Sequence, residues 1–193
     1  MNELQQLLKA QVFAVAKLED AAWEALCTGW TEVNYRRKQV ITRAGDTEKY
    51  LYFVVEGVQR AFYADEKREA TMVFTYAPSF SGVIDSFFLQ KPSKVTLETL
   101  TSSKLWRIHY NDIMSLMETY PSIERWVRQA IVQTLAGTFD RQIELMSFTA
   151  EEKFKTLLHR SPHVLNLIPH KYLASYIGVD PTTFSKLLSS VRL

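Results

Sequence analysis

The side chains with the most evident chemistry gather in the last quarter of the chain. From Lys153 onward there are six Lys or Arg residues (Lys153, Lys155, Arg160, Lys171, Lys186 and Arg192) against a single acid, Asp180. The whole chain carries a formal charge of only +2. This end therefore holds a surplus of five positive charges, and the remainder is about −3 by difference. Ser, Thr and Tyr hydroxyls lie among these cations, in the stretch Lys171-Tyr172 and again in Thr182-Thr183-Phe184-Ser185-Lys186. A basic module on a mildly acidic body is the asymmetry expected where one end of a protein meets phosphates.

Those groups need rigid elements beneath them, and the breakers supply the plan. Pro169 suits the start of a helix, and Gly178 is where a chain can take φ > 0 to leave one. Asp180-Pro181 restarts it, with Asp as N-cap and Pro giving up an N–H that had no partner. Leu173, Ala174 and Ile177 then share one helical face, Phe184, Leu187 and Leu188 another, and Val179 plugs the turn. Ala174 leaves room for two helices to cross steeply. The pattern predicts a helix-turn-helix, with an ordinary helical hairpin inside a core as the alternative.

Other chemistries find little support. Cys27 is the only cysteine, which excludes an intramolecular disulfide and a single-chain thiolate cluster. His109, His159, His163 and His170 are scattered, and only His109 lies near the strand-like segments, so neither a metal centre nor a catalytic site is expected. No apolar run reaches the roughly 18 residues of a membrane span, and the first residues lack the order of a signal peptide, so the expected location is cytoplasmic, with no membrane partner.

The chain in order reads as α+β. Leu4, Leu7, Leu8, Phe13, Leu18, Ala22, Leu26 and Trp30 recur at helical spacing, with a second helix opening near Leu18-Glu19-Asp20. From Thr31 the period shortens. Short β-rich runs at 33–41, 50–55, 58–63, 71–76 and 95–108 alternate with turn signals, which predicts an antiparallel roll or sandwich. Asp112 is placed to cap a short helix, and Pro121 starts a long one. Ile123, Val127, Ile131, Leu135 and Phe139 run down that helix as a stripe broad enough for its own roll and a second copy of the chain. Dimerisation is the expected use, with simple core packing as the alternative. Thr149-Ala150-Glu151-Glu152 is a capping box that opens the next helix. The domains so read are a β-roll sensor at 1–120, a dimerisation helix and hinge at 121–147, and the helix-turn-helix at 148–193.

This order of elements resembles the Crp/Fnr family of bacterial transcription regulators. The resemblance rests on Arg43-Ala44-Gly45-Asp46, Tyr52-Phe53-Val54-Val55-Glu56-Gly57, Phe80-Ser81-Gly82, Pro92-Ser93, the long helix and Leu173-Ala174…Gly178…Thr183-Phe184-Ser185. It implies a cyclic-nucleotide-binding-like jelly roll with a ligand pocket at Ser81, Gly82, Val83, Asp85, Ser86, Ser93 and Lys94. Family members that bind cyclic nucleotides place a Glu where Val83 stands, an Arg where Ser93 stands and a hydroxyl where Lys94 stands. Valine cannot accept from a ribose hydroxyl, and lysine lacks the fork of arginine, so the sequence argues against a cyclic nucleotide. An unknown small-molecule effector and an empty pocket both stay open, and no cofactor is certain.

The resemblance further implies a homodimer reading a palindromic site in double-stranded DNA, with the second helix in the major groove. Pro181, Thr182 and Lys186 would face bases, Thr183 and Ser185 would lie near phosphates, and Lys171, Tyr172, His170 and Arg192 would add phosphate contacts. RNA polymerase becomes a partner if the protein is an activator. Family members continue into a β-hairpin wing, whereas this sequence runs only to Leu193, so no full wing is expected. The competing reading is a sensory module acting through protein contacts, with vestigial DNA binding.

Overall fold

A computed structural model describes residues 3–190. Two helices, α1 (Glu3–Val15) and α2 (Asp20–Thr28), lead into β1 (Thr31–Tyr35), β2 (Val40–Thr42), β3 (Tyr50–Glu56), β4 (Val58–Ala64), β5 (Glu69–Tyr76) and β6 (Ser79–Ser81). A short α3 (Ile84–Leu89) precedes β7 (Thr96–Thr99) and β8 (Ser103–His109). Six helices complete the described residues: α4 (Tyr110–Thr119), α5 (Pro121–Ser147), α6 (Ala150–Arg160), α7 (Val164–Leu167), α8 (His170–Ile177) and α9 (Pro181–Ser190). No helix among these residues is long and apolar enough to cross a membrane.

The strands form two four-stranded antiparallel sheets, ordered β1-β8-β3-β6 and β2-β7-β4-β5. Strand alternation sorts the side chains of β3 between two cores. Tyr52 and Val54 join Leu105 inside the roll, while Leu51 and Phe53 face the helices together with Ile108. That outer face is covered by Leu8 and Val12 of α1, Ala22 and Leu26 of α2, Ile113 of α4, and Ile123, Trp126 and Val127 of α5. Opposite, Ala61 of β4 and Leu97 of β7 form a small apolar cluster with Val83.

Local chemistry sets the helix ends. Thr149 and Glu152 form the reciprocal capping box that the sequence predicts. At α4 the expectation fails: the cap is His109, whose Nδ1 accepts from the Asn111 N–H at 3.2 Å, and Asp112 lies inside the first turn. The strand β6, only three residues long, escapes the sequence reading because it is too short for a period to emerge.

The long helix divides the predicted stripe in two. Ile123 and Val127 are buried in the chain's own core and are not available to a partner, which corrects their assignment to a dimer face. Ile131, Leu135 and Phe139 are exposed, the last two at 52% and 58%, and Val132 and Ile143 are exposed beside them. Periodicity alone cannot mark this division, because both halves of α5 carry the same apolar spacing.

Candidate functional site

The helical pair α8/α9 is built on an aromatic anchor. Phe184 is fully buried, its ring 5.3 Å from that of Phe154 in α6, and Leu173, Ala174 and Ile177 of α8 complete the cluster. Between the helices Gly178 takes φ +69°, a left-handed conformation open to glycine at little cost, and its N–H reaches the Ser175 carbonyl at 3.1 Å. Asp180 then caps α9: its carboxylate accepts from the Thr183 N–H at 2.9 Å and from the Thr183 hydroxyl at 2.6 Å. These bonds hold the Asp180 carboxyl below the usual carboxylate range.

The side of α9 away from Phe184 presents Thr182, Ser185 and Lys186, and Pro181, one turn before Phe184, is exposed at the start of the helix. Thr182 and Lys186 are four residues apart and therefore lie on one face. Lys186 forms no ion pair among the described residues. Two predicted phosphate donors are otherwise engaged. The Thr183 hydroxyl donates to Asp180, and the Ser185 hydroxyl donates to the Pro181 carbonyl at 2.9 Å. Lys171 is exposed, its Nζ 4.6 Å above the Tyr172 ring. Arg192 lies outside the described residues.

Tyr172 corrects the sequence reading most clearly, because it turns toward the roll. Its ring lies 3.8 Å from the guanidinium carbon of Arg60, which is 3% exposed and also stacks on Phe62 at 4.1 Å. Arg60 also pairs with Glu98 and Glu69, each at 2.6 Å. Around this clamp the Ser175 hydroxyl accepts the Thr71 N–H at 2.9 Å, the Phe74 and Tyr176 rings lie 5.2 Å apart, and the Tyr76 and Ser161 hydroxyls meet at 2.6 Å. The helical pair is thus fastened to β4 and β5 of its own roll.

A second fastening joins it to α5. Glu144, 6% exposed, pairs with Arg141 at 2.9 Å and with Arg160 of α6, while Arg141 also donates to the Tyr176 carbonyl and stacks on the Tyr176 ring at 3.9 Å. Neither Arg60 nor Glu144 stands out in the sequence. Each is one charge in a run that reads as strand or helix surface, and the contacts that fasten the helical pair, Tyr172 for Arg60 and Arg160 for Glu144, come from other elements.

The predicted pocket at 81–94 is closed upon itself. Val83 is 5% exposed against Ala61 and Leu97, so the position expected from the family resemblance to stand in place of a Glu is part of an apolar cluster. Ser81 shares a hydroxyl contact with Thr75 at 3.0 Å. Ser86 accepts the Glu48 N–H at 2.9 Å and donates to the Lys91 carbonyl at 2.6 Å. Ser93 closes a local turn, donating to the Val95 carbonyl at 2.6 Å and accepting its N–H at 3.0 Å. Gly82 takes φ +133°, where a Cβ would stand 3.3 Å from the Tyr50 carbonyl. Asp85 and Lys94 are exposed, and Asp85 caps nothing.

Beside this loop Glu48 is 2% exposed, and burial pushes its carboxyl up, although Thr42 and the Lys49 and Tyr50 amides bond to it.

Comparison with known proteins agrees with this architecture. Residues 32–120 match the sequence profile of the cyclic nucleotide-binding domain. No curated protein matches the sequence. Among solved structures, FixK2 from Bradyrhizobium japonicum superposes with a TM-score of 0.72 at 18% identity, covering 83% of each chain. CLP of Xanthomonas campestris, a c-di-GMP-responsive global regulator, gives 0.66 at 19% identity, covering 89% of this chain and 90% of that one. The catabolite activator protein of Thermus thermophilus gives 0.57 at 20% identity, covering 91% and 87%. At such identities the likeness is one of fold.

Proposed function

We propose that this chain is a DNA-binding transcription regulator of the Crp/Fnr type, with a sensor roll at 1–120, a dimerisation helix and hinge at 121–147 and a helix-turn-helix module at 148–193. The observation that carries the reading is the state of α9. Its inner face is locked by Phe184, while the side chains of Thr182 and Lys186 are presented outward, with Pro181 exposed at the helix start, and Lys186 has no ion pair among the described residues. A lysine there can donate to guanine O6 and N7, and a threonine can offer its hydroxyl or pack its methyl on thymine.

The exposed half of α5, with Ile131, Leu135 and Phe139, supports a homodimer. Pairing two such helices would give two copies of α9 related by a two-fold axis, which fits a palindromic site with half-sites about one helical turn apart. RNA polymerase is the further partner if the regulator activates.

Control by cyclic AMP or cyclic GMP is not part of this proposal. A phosphate placed at 81–94 would meet Ser93 without a guanidinium, and a ribose would meet the buried side chain of Val83. The experiment is a titration of random-sequence duplex DNA at several salt concentrations. Log affinity should fall linearly with log salt, with a slope of several units from counterion release. A flat response, or no binding at low salt, would return the reading to a sensory module acting through protein contacts.

A further inference from the structure

A different cavity of the roll has the features of a ligand site. It measures about 560 Å³, lies near the start of β3 and is lined by Tyr35 of β1, Glu48, Lys49, Tyr50, Tyr52 and Arg107 of β8. The guanidinium carbon of Arg107 sits 4.3 Å over the Tyr50 ring. Its Nε is buried without a hydrogen-bond partner, and it forms no ion pair among the described residues.

Glu48 shares the cavity yet forms no ion pair with Arg107 among the described residues. One carboxylate oxygen accepts the Thr42 hydroxyl at 2.6 Å, and the other accepts the Lys49 and Tyr50 amides at 3.0 and 3.1 Å. Tyr52, 2% exposed, is hydrogen-bonded to Tyr35, and burial raises its phenol far above the ordinary range, so it stays neutral. The result is a stacked cation with a buried, unmet Nε donor, lining a hollow walled by three phenol rings. A buried donor without an acceptor is costly, and the planar fork of arginine matches a carboxylate in two parallel hydrogen bonds.

Charge narrows the ligand further. Arg107 and Lys49 are offset by Glu48 and Asp46 around the same cavity, so a dianion would be repelled where a monoanion anchored at Arg107 is not. The Tyr faces favour a flat apolar body. We propose that this cavity binds a small monoanionic carboxylate with a planar body, anchored by Arg107. The site is distinct from residues 81–94 and does not rest on the DNA-binding reading.

The test is calorimetric titration of the full chain with benzoate, alongside its neutral isostere benzamide and inorganic phosphate. Benzoate should bind saturably and raise the Tm. Benzamide should bind at least about tenfold more weakly, phosphate should not displace benzoate, and K186A should leave benzoate binding unchanged. R107Q should fold cooperatively and lose about tenfold or more in benzoate affinity. If R107Q fails to fold, wild-type protein decides: benzoate, but not benzamide, should shield Arg107 from phenylglyoxal, read by peptide mass. The proposal is overturned by equal benzoate binding in R107Q, by benzoate no better than benzamide, by phosphate binding more tightly than benzoate, or by no benzoate binding at millimolar concentration.

Discussion

The outer face of α9 and the loop at 81–94 hold the same kinds of side chain, Ser, Thr or Lys beside an Asp, in opposite states. On α9 the groups at Thr182 and Lys186 are exposed and anchored from behind by a buried aromatic ring. In the loop, Ser81, Ser86 and Ser93 are buried and each hydroxyl is already engaged within the chain. A polar residue is available for recognition only when folding leaves its donors and acceptors unmatched. The contrast between these regions therefore matters more to function than their composition.

Five experiments press on that contrast, in descending order of expected effect. Val83→Glu introduces the residue that the family resemblance would place here in a cyclic-nucleotide binder, and it buries a carboxylate against Ala61 and Leu97. It should destabilise the protein by about 4 kcal/mol in urea unfolding, with no rescue by cyclic AMP. A neutral result would mean that the loop is an open pocket after all. Arg60→Ala strands Glu98, removes the clamp on Tyr172 and should cost about 3 kcal/mol. Amide exchange should show α8 loosened from β5 before the rest of the roll opens. Unchanged α8 protection would show that the fastening lies elsewhere.

Phe139→Glu places charge in the exposed half of α5 and should raise the dimer dissociation constant by about a hundredfold, read by sedimentation, with the monomer still folded. Lys186→Ala should lower DNA affinity by about tenfold and reduce the salt slope by about one, without altering Tm. Lys94→Ala, on the exposed flank of the loop, should change neither.

Acidity should separate the two regions by sign. Asp180 and Glu152 have folded pKa values held down by their capping bonds, so their contribution is present above the unfolded carboxylate range of about 4 and is lost as pH falls through the lower folded values. Glu48 is shifted upward by burial, so the folded roll binds its proton more readily than the unfolded chain, and acidification through that range relieves its penalty. Amide exchange between pH 6 and about 3 should show α6 and α9 fraying before the strands that flank Glu48. The reverse order would contradict both assignments.

Much of the fold was legible because hydrophobic period, caps and breakers are local. The restart at Asp180-Pro181, the capping box at Thr149 and the left-handed Gly178 each follow from a few neighbouring residues. What escaped depends on distant partners. Nothing near Arg60 announces Tyr172, more than a hundred positions away, and nothing in the α5 stripe marks where Val127 stops facing its own core and Ile131 begins to face outward. The sequence marks out the residues of the loop at 81–94, but the closure of its hydroxyls on Thr75, Lys91 and Val95 came only with the fold.

The most direct test of the central claim is selection of bound sequences from a random DNA pool by the purified protein, first without nucleotide and then with cyclic AMP. The account predicts an enriched palindrome in both selections, with equal strength. Enrichment only with cyclic AMP would contradict the closed pocket at Val83 and Ser93, and no enrichment in either would contradict the assignment of α9 to DNA.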